Sequence, residues 1–208
     1  MDIKVTGDPG QGNSYNETTL QHVDSFNPAA TTVNNNHYYS RNSSSRMAAD
    51  FERLRQEILK GVRQETIEDL KYYITKLPGT RSAEEKLSDG GFKKSSIRDA
   101  LRLKEFYARR ATMYQDYPSA QQINLDLFTR IRHEFEDTIF PIIESGAELS
   151  VVMQQIRTKI VIPIMQLLNE NGASDEHLHY SEDHIYGMIY YLTGMCHLNW
   201  KDYDNDNL

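Results

Sequence analysis

The sequence predicts an all-α fold, a bundle of about five to six helices behind a polar N-terminal leader. Three observations predict it. From Arg46 onward apolar residues recur at three- and four-residue steps, the period of a helix with one buried face. Serine-led starts and Pro or Gly stops punctuate those runs. No alternating Val/Thr-rich run follows residue 46, so strands are not expected there. The 208 residues leave room for one domain, assigned to 46–208, and a leader, assigned to 1–45.

The leader is rich in Asn, Ser, Thr and Gly. It holds two segments of strand-like composition, YNETTLQHVDSF and AATTVNNNHYY, split by Asn27-Pro28. Within the second, Val33, Asn34, Asn35, Asn36 and Tyr38 form a candidate self-pairing motif, because amide side chains satisfy one another when identical strands stack. Plain disorder is the other reading.

Ser44 or Ser45 is placed to cap a helix reaching to about Leu77. Phe51, Leu54, Ile58 and Val62 make one apolar stripe; Ile67, Leu70, Ile74 and Leu77 make another. The step between them predicts a bend or a break near Gly61–Gln64, and Pro78-Gly79 ends the run. Ser82 and Glu85 have capping-box spacing for a short helix closed by Gly90-Gly91. The next helix opens at Ser95 or Ser96 and turns Ala100, Leu103, Tyr107, Ala111 and Tyr114 inward. Arg98, Arg102 and Arg109 lie on its opposite side, with Glu105 spaced to pair with Arg109.

After Pro118, Ser119 is placed to cap a helix toward Gln122, with Phe128, Ile131, Phe135, Ile139 and Ile142 inward and a kink at Pro141. A helix from about Leu149 to Asn169 carries Val152, Ile156, Ile160, Ile164 and Leu167, with a second kink at Pro163. Ser181 or Asp183 caps the last helix, whose inner face is Ile185, Met188, Ile189, Leu192 and Cys196. Gly187 and Gly194 each cost such a helix about 1 kcal/mol relative to Ala, which predicts close packing there.

Charge narrows the function classes. Residues 1–110 carry 18 Lys/Arg and 15 Asp/Glu, whereas 111–208 carry 5 and 15. A chain of net charge −7 is a poor general nucleic-acid binder. Seven basic residues against two acids in 93–110 keep that helix as a contact for an acidic partner or, as an alternative, nucleic acid. One Cys excludes an internal disulfide and fits a reducing compartment, so a cytoplasmic protein is expected. MDIKVTGDPGQGNSY has no signal-peptide pattern, and the runs IVIPIMQLL and IYGMIYYLTGMC fall short of the roughly 18–20 residues of a membrane span.

Three features invite a chemical reading. His177, His179 and His184 stand near Asp175, Glu176, Glu182 and Asp183, the side chains of a metal-dependent hydrolase. They lack a fixed ligand spacing, so a solvated loop with helix-capping acids is preferred and no metal ligand is assigned. Cys196-His197 resembles a nucleophile and base, but neighbours on a helix point about 100° apart. SDGGFKKSS lacks the spacing and preceding strand of a phosphate loop. No catalytic residue and no cofactor is therefore expected. Partner-binding candidates are Arg98, Arg102 and Arg109 on the basic helix, and Tyr186, Tyr190, His197 and Trp200 on the aromatic flank of the last.

Three stretches, DLKYYITKLPG…EEKLSDGG, ALRLKEFYARRATMYQDYPSAQQI and DHIYGMIYYLTGMCHLNW, together resemble the C-terminal helical domain of ABC-three-component systems, bacterial conflict systems akin to Lamassu defence. The resemblance covers about residues 65–200. Its most specific positions are Ser119, Ala120 and Gln121, then His184, Gly187, Leu192, Thr193, Gly194, Cys196, His197 and Trp200. It implies an adaptor that docks an SMC-like ABC ATPase and a middle component and couples them to an effector. In that family the domain stands behind an effector; here 45 polar residues stand in that place. The expectation is a non-enzymatic antiviral adaptor whose leader recruits an effector or drives self-association.

Overall fold

Apolar stripes become helices wherever the chain supplies a start and a stop. The computed structural model describes residues 40–76 and 80–203, with side chains from residue 46, and there it contains helices and turns but no strand. The leader motif Val33 to Tyr38 and the break at Leu77, Pro78 and Gly79 lie outside the described residues.

Helix α1, Ser40–Lys60, starts ahead of the predicted caps and buries Met47, Phe51 and Leu54. Gly61, at φ +66°, ends it, so the predicted break is a true helix end. Val62 falls beyond that end and is exposed, which removes it from the predicted stripe. Helix α2, Glu68–Ile74, turns Leu70 and Tyr73 inward. Because α1 and α2 are separate, the described residues hold seven helical rods rather than five or six.

Helix α3, Ala83–Asp89, carries the predicted Ser82–Glu85 capping box with both hydrogen bonds made. It closes at Gly91, φ +80°, with Phe92 N–H on Leu87 O at 3.1 Å. Helix α4, Lys94–Met113, begins one or two residues before the predicted serines and has no side-chain cap. Its buried face is Ile97, Ala100 and Tyr107.

Helix α5, Pro118–Glu134, opens on proline, whose missing N–H is no loss in a first turn. It runs through a π turn, Phe135–Ile139, into α6, Phe140–Glu144. Helix α7, Leu149–Ile156, likewise runs through a π turn, Arg157–Val161, into α8, Ile162–Asn171. Each wide turn stands just before a predicted kink, at Pro141 and Pro163. A proline in a helix cannot donate and pushes on the carbonyl four residues back. The wide turn loosens the ladder next to each proline: Phe140 N–H bonds to Phe135 O and Ile162 N–H to Arg157 O, one residue further than in an α-helix. The extra residue shifts the phase of the second rod, so Leu168 is buried and Leu167 only partly so.

Helix α9, Glu182–Gly194, is the centre of the bundle, packed by α3, α4, α5 and α8. Ile185, Met188, Ile189 and Leu192 have no exposed surface. Each such side chain contributes about 1.5–3 kcal/mol by leaving water. Its closest neighbour is α4, and Gly187 permits the approach. A Cβ there would lie 2.4 Å from Leu103 O and 2.7 Å from Tyr107 Cβ. Gly194 has no such role, since a Cβ would meet Lys104 Cε at 3.4 Å and Ala83 Cβ at 3.6 Å. Inside this packing, Asn124 Oδ1 accepts from the Tyr107 and Tyr180 hydroxyls at 2.9 and 2.8 Å.

Candidate functional site

Ser119, Ala120 and Gln121 are all buried, and they hold the scaffold together. Ser119 does not cap its own helix toward Gln122. Its N–H and Oγ both donate to the Glu57 carboxylate, at 3.0 and 2.7 Å, so a side chain of α1 caps α5. Gln121 accepts from Ile67 N–H at 2.8 Å and donates to Gln115 O and Glu65 O at 2.7 and 3.3 Å. The amide thereby fixes the connector between α1 and α2. Ala120 is wholly buried.

The C-terminal pattern is also mostly packing. Tyr190 and Trp200, two of the partner-binding candidates, are buried at 5% and 3% exposure. Trp200 Nε1 donates to Thr193 Oγ1 at 2.9 Å, and its ring meets Phe92, Phe135 and Tyr190. The Trp200 backbone also needs Gly90, where a Cβ would lie 2.6 Å from Trp200 Cβ. A buried Trp whose N–H is satisfied serves as core. Tyr186 stays partly exposed.

Cys196 and His197 lie past the end of α9 and not on its face. Cys196 takes the left-handed position, φ +71°, and His197 N–H closes the helix on Leu192 O at 2.9 Å. Cys196 is therefore half-buried and leaves the predicted inner face. Its Sγ faces Arg81 O at 3.8 Å, whereas His197 Nε2 is 3.0 Å from Tyr72 O. The two side chains have separate partners. Burial holds the His197 pKa below the usual histidine value. Nearby, buried Lys86 donates to Leu198 O and Asn199 Oδ1 at 3.2 and 2.8 Å, and burial lowers its pKa.

The three histidines of the 177–184 stretch do not converge. Asp175 Oδ1 accepts from His177 N–H and Leu178 N–H, and Oδ2 accepts from His179 N–H, so the carboxylate organises a turn. His179 is exposed with φ +45°. His184 is buried, accepting from Ser181 N–H at its Nδ1. Among the described residues no three His, Cys, Asp or Glu side chains are grouped to hold a metal ion.

The predicted arginines behave differently. Arg98, Arg102 and Arg109 line one open groove of about 660 Å³. They share a helix face with Leu101, Glu105 and Phe106, at spacings of three and four residues along α4. Leu103 completes the apolar part, and Asp183, in the first turn of α9, forms the other wall. Phe106 is 45% exposed and lies against the His184 ring, with centroids 4.2 Å apart. Glu105 does not pair with Arg109; its ion pair, at 4.0 Å, is with Lys104. Arg102 has a loose pair with Asp99 at 3.8 Å, and both groups are well exposed. Arg98 and Arg109 make no ion pair among the described residues. Spacing alone placed the arginines on one side, but Phe106 and Asp183 were missed. Phe106 stands outside the predicted inner face, and Asp183 reaches the groove only through the fold.

Fold and groove together define an all-α domain with a basic, partly apolar groove along α4. The chain belongs to the family described as C-terminal domain 9 of the ABC-three component (ABC-3C) systems, whose model matches residues 82–200. No curated protein and no solved structure matches it. No helix among the described residues is long and apolar enough to cross a membrane.

Proposed function

We propose that this chain is a non-enzymatic docking component of an ABC-3C conflict system. It holds the system's other components together, including its ABC ATPase, and its N-terminal residues recruit an effector or a second copy. The observation that carries this is the groove on α4. Three arginines that lack close ion pairs among the described residues flank an exposed phenylalanine on a domain whose family belongs to multicomponent systems. Charged groups with an aromatic anchor are what protein contacts use, and among the described residues the arginines make only the loose Arg102–Asp99 pair.

The test is co-expression of the full chain with the proteins encoded beside it, followed by affinity purification and sedimentation. A stoichiometric complex containing the ATPase component is expected. A monomer that stays alone with its neighbours present overturns the proposal. Deleting residues 1–45 is expected to leave helicity unchanged and to remove the effector or the self-association.

A further inference from the structure

We propose that the α4–α9 groove binds an acidic amphipathic helix, about three turns long, from a protein partner. This rests on the docking role just given and names the chemistry that the dock recognises. From Arg98 to Arg109 the arginine row extends about 16 Å at 1.5 Å per residue, which is three helical turns. Arg98 and Arg109 lack ion pairs among the described residues, and Arg102 is held only by an exposed aspartate. A loose surface pair of that kind contributes about 0–1 kcal/mol, so all three guanidiniums are available to carboxylates. Between them Phe106 and Leu101 offer an apolar seat, and the His184 ring supports Phe106 from behind. A helix that lays its apolar stripe in such a groove, with acids along one edge, satisfies both features.

The opposite wall decides between classes of ligand. Asp183 faces the arginine row across the groove, and Glu105 interrupts it. A nucleic-acid backbone presents phosphates on every side and would be repelled by both. A helical peptide has one acidic edge and can turn a neutral or basic edge to Asp183. Residues 111–208, with 5 basic and 15 acidic residues, repel acidic segments and so favour their approach to the basic helix instead.

The test uses the full chain and a fluorescent synthetic peptide of about three helical turns, with glutamates on successive turns and Leu and Phe beside them. Anisotropy should give saturable binding that weakens at least about tenfold when Arg98, Arg102 and Arg109 are all replaced by Glu. A lysine version of the peptide should then bind the reversed variant. The milder pair Arg98→Ala and Arg109→Ala should shift affinity in the same direction. Peptide affinity unchanged by the reversal overturns the proposal, as does a DNA duplex that binds as tightly as the peptide. Tighter peptide binding after removal of residues 204–208 would make the chain's own acidic end the occupant, and overturns it too. So does a dimer that the reversal dissolves, since the occupant is then a second copy. If the reversed variant still joins the ABC-3C complex, the docking role stands without this groove. If the peptide binds as expected and no complex forms with any chain, the groove stands without the docking role.

Discussion

Helix α4 has two faces made under opposite rules. The inner face, Ile97, Ala100, Leu103 and Tyr107, meets α9 closely enough that Gly187 has no room for a side chain. The outer face, Arg98, Arg102, Phe106 and Arg109, leaves its charges without close ion pairs among the described residues and an aromatic ring half-exposed beside His184. One face is packed into the fold, and the other is exposed to solvent. The helix stays in place because the inner face is so strongly determined.

That contrast can be broken from the inside first. Asn124→Leu removes the acceptor shared by the buried Tyr107 and Tyr180 hydroxyls. Two orphaned donors at about 1–3 kcal/mol each should cost about 4 kcal/mol in urea unfolding. Gly187→Ala puts a methyl into the Leu103 carbonyl and the Tyr107 Cβ, for a loss of about 3 kcal/mol in the same assay. Glu57→Ala removes a cap supplied from another helix and should cost about 1 kcal/mol, with Ser119 amide exchange accelerated.

Acid sharpens the comparison. Burial holds the His184 pKa below its ordinary value of 6.5; Arg110 pushes it the same way, and Asp183 opposes. The unfolded chain therefore takes up a proton before the folded one does. Stability is full above pH 6.5 and falls as pH drops below it. The urea midpoint should decline from pH 7 toward pH 5, and His184→Phe should flatten that decline; an unchanged slope would show that other groups cause it. The smallest effect belongs to the outer face: replacing Arg98, Arg102 and Arg109 together by Ala should alter stability by under about 0.5 kcal/mol each. A larger loss would mean that the arginines belong to the fold.

Local rules made much of this legible in the sequence. The Ser82–Glu85 capping box, the stripes through Phe128, Ile131 and Ile156, and the break at Gly61 needed only near neighbours. Both proline sites were visible, although the π turns that accommodate them were not. Contacts across the chain were hidden. Nothing near Ser119 announces that Glu57 will cap it. Tyr190 and Trp200 have the composition of an interface, and only the meeting of α9 with Phe92 and Phe135 shows them to be core. Cys196 seemed to continue a helical stripe because spacing does not report where a helix stops. At the groove, the arginine row was readable from α4 alone, and its facing carboxylate was not.

The Glu57 and Gln121 bonds carry a lesson about where this domain can be cut. The region shared with the family begins at residue 82, but Ser119 and Gln121 inside it are held to Glu57, Glu65 and Ile67 outside it. Helix α1 also covers α5 and α8 with Met47, Phe51 and Leu54. A fragment trimmed to the shared region would bare the apolar side of two helices and leave the start of α5 uncapped. The portion that is inherited as recognisable sequence is thus shorter than the portion that must fold together, and any excised version should begin before α1.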